Sequence, residues 1–144
     1  MSGSIDSGMA KLPSIFTLLL AVGACQAVPP PISMACPVVG SSDWKAWVNA
    51  MPGPNMQSKL IATGKVTLPT GGYTFRWGAP RVMESYPVQV SVELIPIPPA
   101  GPATQALATH DVRGEWPMQP PVGALNVTCG DMVLGRISPV ETAR

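Results

Sequence analysis

Val88-Gln89-Val90-Ser91-Val92-Glu93-Leu94 alternates strictly between branched apolar and polar side chains. Successive side chains of an extended chain point to opposite faces. A period of two therefore puts Val88, Val90, Val92 and Leu94 on one buried face and Gln89, Ser91 and Glu93 on the other. Ile95-Pro96-Ile97-Pro98-Pro99 ends the strand, because proline has no N–H to donate to a ladder.

The same period recurs on both sides of this stretch. Upstream, Ala62, Gly64, Val66 and Leu68 alternate with Ile61, Thr63, Lys65 and Thr67, and Tyr73, Phe75 and Trp77 alternate with Thr74 and Arg76. Downstream, Leu125, Val127 and Cys129 oppose Asn126 and Thr128. Cys129-Gly130-Asp131-Met132 then reads as a hairpin turn, with residues 133–137 as the returning strand. Residues 104–112 read as a weaker strand or an irregular edge. Ser42-Asp43-Trp44-Lys45-Ala46-Trp47-Val48 reads as a short turn of helix capped by Ser42, because Ser-Ser-Asp precedes it. An edge strand with both tryptophans on one side is the alternative there. Eighteen prolines and fourteen glycines leave little room for long helices. Six or seven short strands, with no alternation of strand and helix, predict an all-β fold: an antiparallel, immunoglobulin-like β-sandwich. A small closed β-barrel is the alternative.

With 144 residues the chain has room for one domain. Nine Lys+Arg against eight Asp+Glu give a formal charge of +1, without the clustered basic face that nucleic acid requires. Charged residues are 12% and apolar residues 46%, which argues against a disordered polyampholyte.

The first segment reads as an address. Residues 12–24, LPSIFTLLLAVGA, carry no charge and follow Lys11. A spanning helix needs about twenty apolar residues, so this shorter run fits the apolar core of a secretory signal peptide over residues 1–24. The acidic stretch before it, with Asp6, is foreign to such a segment, and Met9 offers a basic start, MAKLPSIF. Val22-Gly23-Ala24-Cys25 resembles the bacterial lipobox. The resemblance implies a thioether-linked diacylglycerol on Cys25, cleavage before it, and acylation (palmitate-type chains) of its new amine. Several acyl chains together make a stable anchor, which one chain does not. By analogy with Gram-negative sorting, Gln26 directs the protein to the outer membrane, facing the periplasm. Cleavage after Ala27 is the alternative and would release a soluble periplasmic protein. Residues 25–35, with Pro29 to Pro31, read as an extended tether, and residues 36–144 as the domain.

Three cysteines are an odd number for an exported chain. Lipidation uses Cys25 and cleavage after Ala27 removes it. Either way Cys36 and Cys129 remain, with one possible pairing, and an oxidising compartment favours that disulfide. A nucleophilic Cys129 would need a base, and His110 is the single histidine. His110 and Asp111 are adjacent on a strand pattern and so face opposite sides. Glu84, Glu93, Asp111 and Glu115 have no spacing that demands a carboxylate pair. There is no glycine-rich phosphate loop, HExxH or GxSxG. The expectation is a non-enzymatic protein without cofactor or metal, whose partner is the membrane, reached through its acyl anchor. Trp44, Trp47, Trp77 and Trp116 read chiefly as core or rim, with a ligand groove as the alternative.

Pro69, Thr70, Gly71, Gly72 and Tyr73 form the most distinctive turn. Its first reading is a plain strand–turn–strand connection. It also resembles the first inhibitory loop of chagasin-type cysteine-protease inhibitors, matching at Pro69, Thr70, Gly72 and Tyr73 and departing at Leu68 and Gly71. That resemblance implies a binding loop, with Trp116 of Arg113-Gly114-Glu115-Trp116-Pro117 echoing a second one. Over most of the mature chain, Cys36-Pro37-Val38, Asp43-Trp44-Lys45-Ala46-Trp47, Thr63-Gly64-Lys65-Val66 and Cys129-Gly130 are similar to small uncharacterised proteobacterial lipoproteins. That likeness implies an envelope address and a β fold, and says nothing of activity.

Overall fold

The computed structural model describes residues 35–144, which fall within one compact unit. The stretches read as a signal peptide (1–24) and as most of the tether, with the expected lipidation at Cys25, lie outside the described residues. Nine strands follow in order: β1 (Gly40–Asn49), β2 (Lys59–Leu68), β3 (Thr74–Trp77), β4 (Arg81–Met83), β5 (Val88–Ile97), β6 (Ala108–Pro117), β7 (Val122–Cys129), β8 (Met132–Ile137) and β9 (Glu141–Ala143). They form two sheets, β6-β2-β1-β9 and β3-β5-β7-β8, with β4 also paired to β5. Both sheets are open, so the molecule is a two-sheet sandwich and not a closed barrel.

Period-two patterning explains the core. Val90, Val92 and Leu94 of β5 and Leu60, Ala62, Val66 and Leu68 of β2 are buried, and Leu125, Val127 and Cys129 of β7 join them. No polar or charged residue is buried among the described residues. The hairpin expected at 129–132 is present, and Gly130 supplies its positive φ of 56°.

Four expectations need correction. The Ser42–Val48 stretch is not helical; it lies within the ten-residue strand β1, paired to β2 and β9. Ser-Ser-Asp serves a β-bulge instead of a helix cap: the register shifts between Ser42 and Lys45, and Asp43 takes a φ of 56°. Trp44 packs toward Gly64, whose neighbours Ala62 and Val66 are core, whereas Trp47 lies on the outer face under Arg113. The tryptophans therefore do not share a side.

The weaker strand expected at 104–112 begins at Ala108 and runs to Pro117, matched residue for residue to β2. Its inward positions Val112, Gly114 and Trp116 hide the alternation, because glycine carries no apolar signal. Its outward positions Asp111, Arg113 and Glu115 suit an exposed edge.

The sheets are mixed, not wholly antiparallel: β1 pairs with β9, and β5 with β7, in parallel. The chain leaves β5, crosses to the other sheet as β6, and returns as β7. Two reversals restore the original direction. There are nine strands, not six or seven, and four of them are ten residues long. The three-residue strands β4 and β9 are too short to show a period.

Candidate functional site

One end of the sandwich gathers the residues that the sequence singles out. The starts of β1, β6 and β8 and the finishes of β2, β5 and β7 meet there, as the pairings Gly40 with Thr67, Leu68 with Ala108 and Cys129 with Met132 require. The described chain also begins at this end, so it is called the tether end below. Cys36 and Cys129 are joined by a disulfide, with an S–S distance of 2.05 Å and Cα atoms 5.4 Å apart. Val38, two residues on, is buried in the core. The bond therefore fixes the incoming chain to the β7–β8 hairpin.

The 69–73 turn sits at the same end. Gly72 has a φ of 82°, and its Cα faces Pro99 so closely that an added Cβ would lie 3.2 Å from the proline ring. Gly71 N–H donates to the Thr104 carbonyl at 3.4 Å. The turn is thus backed by the long β5–β6 loop. Tyr73 lines a mostly apolar groove of about 540 Å³ with Cys36, Pro37, Pro96, Pro98 and Cys129. This groove was not legible in the sequence; its one signal is the clustering of proline in uncharged segments.

Trp116 is not brought to this turn. Along β2 the turn follows Leu68, whereas Trp116 pairs with Leu60. Eight strand residues separate those positions, or about 26 Å. Trp116 is 6% exposed and stands edge-on to Trp77, ring centroids 5.1 Å apart. The Trp77 indole N–H donates to the Arg113 carbonyl at 2.9 Å. Phe75 and His110 make a second edge contact at 5.4 Å. These four rings close the flank between β3 and β6. On the opposite flank, the Ser41 hydroxyl donates to the Leu134 carbonyl at 2.6 Å, and Trp44 wedges between Gly64 and Gly135. Trp77 and Trp116 share one flank, Trp44 lies on the other and Trp47 lies on the outer face, so the four do not line one groove.

Charged side chains gather on the β6-β2-β1-β9 sheet, where Asp43, Lys45, Lys65, Asp111 and Arg113 line one shallow pocket and Lys65 lies 3.5 Å from Asp43. The Cys129 sulfur is spent in the disulfide. His110 Nε2 is buried without a hydrogen-bond partner among the described residues, and its ring packs on Phe75. Glu115 accepts hydrogen bonds from the Arg113 guanidinium at 2.8 and 3.0 Å and lies 3.7 Å from Lys59. The Arg113 hydrogen bonds, aided by the two positive charges, hold its carboxyl below the ordinary range. Among the described residues no group of three or more His, Cys, Asp or Glu is placed to hold a metal ion. No described helix is long and apolar enough to cross a membrane.

No family model, curated protein or solved structure matches the chain.

Proposed function

We propose that this is a lipid-anchored, non-enzymatic cell-envelope protein whose β-sandwich, of immunoglobulin-like kind, has a structural or binding role on the periplasmic side of the outer membrane. One observation carries the reading: the Cys36–Cys129 disulfide uses two of three cysteines. Cys25 is left as the odd thiol, at the position where Val22-Gly23-Ala24-Cys25 resembles a lipobox. A structural disulfide forms and persists in an oxidising compartment.

Fractionation of a Gram-negative host that makes the full chain tests this reading. The wild-type protein is expected in the outer-membrane fraction and the Cys25→Ser variant in the soluble or inner-membrane fraction, unprocessed at that site. Identical distribution of the two would overturn the anchor.

A further inference from the structure

We propose that the tether end of the sandwich is a membrane-contact surface, resting on the lipid bilayer with Val39, Leu107, Met132 and Val133 at headgroup level. The inference deepens the anchored reading above: it says which face the anchored domain turns to the lipid.

The four side chains are 60%, 72%, 47% and 62% exposed. Their places in the fold are fixed by neighbours. Val39 donates its N–H to the Thr67 carbonyl just ahead of β1. The Ser41–Leu134 hydrogen bond sets the start of β1 beside the start of β8, where Met132 and Val133 lie. Leu107 immediately precedes β6, whose first residue pairs with Leu68. The segments at this end are 35–39, 69–73, 98–107 and 130–131, and their one charged residue is Asp131. No lysine or arginine lies in them, and Arg76, which lines the groove beside Tyr73 and Cys36, is offset there by Glu93, so this end has no net positive charge to draw anionic lipid. Burial of apolar side chains in the headgroup–acyl boundary is the force available.

Connectivity selects this end over the other. Ten peptide steps separate Cys25 from Ala35, a reach of at most about 35 Å. The disulfide at Cys36 and the buried Val38 make the point of attachment rigid. A bilayer holding Cys25 therefore meets the tether end first. The opposite end also shows apolar side chains, Met51, Met56 and Tyr86, but lies a full strand length further away, and it supplies an internal control.

The test uses the mature chain from Cys25 onward, with the native disulfide intact. Its single free thiol is coupled to a maleimide-headgroup lipid in neutral phosphatidylcholine vesicles, or to a soluble maleimide. Amide hydrogen exchange is then compared between the two. Exchange in 35–39 and 98–107 is expected to slow at least about threefold on vesicles, equally with and without anionic lipid, while 50–58 and 84–87 stay unchanged. Leu107→Ser with Val133→Ser is expected to restore the soluble rates. Unchanged exchange at 98–107, slowing of 50–58 to the same degree, or dependence on anionic lipid would overturn the proposal. So would protection that appears without vesicles as protein concentration rises, which would assign the end to self-association. Chemical coupling supplies the attachment whether or not the cell acylates Cys25, so failure of the native anchor and failure of this surface are read separately.

Discussion

The indole of Trp44 fills the space that a side chain on Gly64 would need, and its opposite edge covers Gly135 in the other sheet. A tryptophan raised on the β1 bulge thereby spans both sheets, and two glycines are the condition for it. Gly64→Ala is expected to push the ring out and cost about 1–3 kcal/mol, the usual penalty of overpacking. That corresponds to a Tm lower by about 4 °C or more, with a red shift in tryptophan emission. Adding Trp44→Leu should recover part of the loss, since residues in contact are not additive. Unchanged stability in Gly64→Ala would show that the wedge does not exist.

Trp116 is a structural residue of the β3–β6 flank. Trp116→Ala is expected to cost about 3–5 kcal/mol in denaturant unfolding. Thr70→Ala, in the 69–73 turn, is expected to stay within about 0.5 kcal/mol. Because the two sites lie at opposite ends of β2, the chain is expected to leave papain-like proteases uninhibited at micromolar concentration. Inhibition weakened by substitutions at both Thr70 and Trp116 would contradict this separation.

The Cys36–Cys129 bond closes a loop with a sequence separation of 93. Chain entropy gives such a cross-link about 4–5 kcal/mol. Cys36→Ser with Cys129→Ser is therefore expected to lower Tm by at least about 15 °C, as is reduction of the native protein. A shift of a few degrees would mean that the sandwich does not depend on the cross-link.

Glu115 has a depressed folded-state pKa, chiefly through the hydrogen bonds from Arg113. Its contribution is present above the ordinary carboxylate value and fades as pH falls through the lowered one. The pair is exposed, so Glu115→Gln is expected to change Tm at neutral pH by no more than about 2 °C. Arg113→Ala should return the Glu115 titration, followed by carboxyl NMR, toward the ordinary range. A titration unmoved by that substitution would rule out Arg113 as the cause.

The strands legible in the sequence are those with one wholly apolar face. β5 and the second half of β2 show unbroken alternation, and the β7–β8 hairpin adds a glycine turn. β1 was obscured because Ser42 and Asp43 carry a helix-cap signature that the fold spends on a bulge. The far half of β6 was obscured because Gly114, an inward position, leaves room for the Trp116 ring and contributes nothing to the pattern. Alternation has no direction, so the parallel pairing of β5 with β7 follows only from the crossing through β6. At the tether end, the disulfide partners emerge from counting cysteines. The separation of Trp116 from the 69–73 turn depends on the β2–β6 register, which no local pattern encodes. Val39, Leu107, Met132 and Val133 come from three separate segments, and only the fold collects them.

Intact mass of the protein extracted from membranes, measured with and without reductant and alkylating reagent, tests the anchored, cross-linked sandwich most directly. The expected species starts at Cys25, carries diacylglycerol and an additional acyl chain, and takes up alkyl groups at two cysteines only after reduction. A chain that retains residues ahead of Cys25, bears no lipid and alkylates at three cysteines without reductant would contradict it.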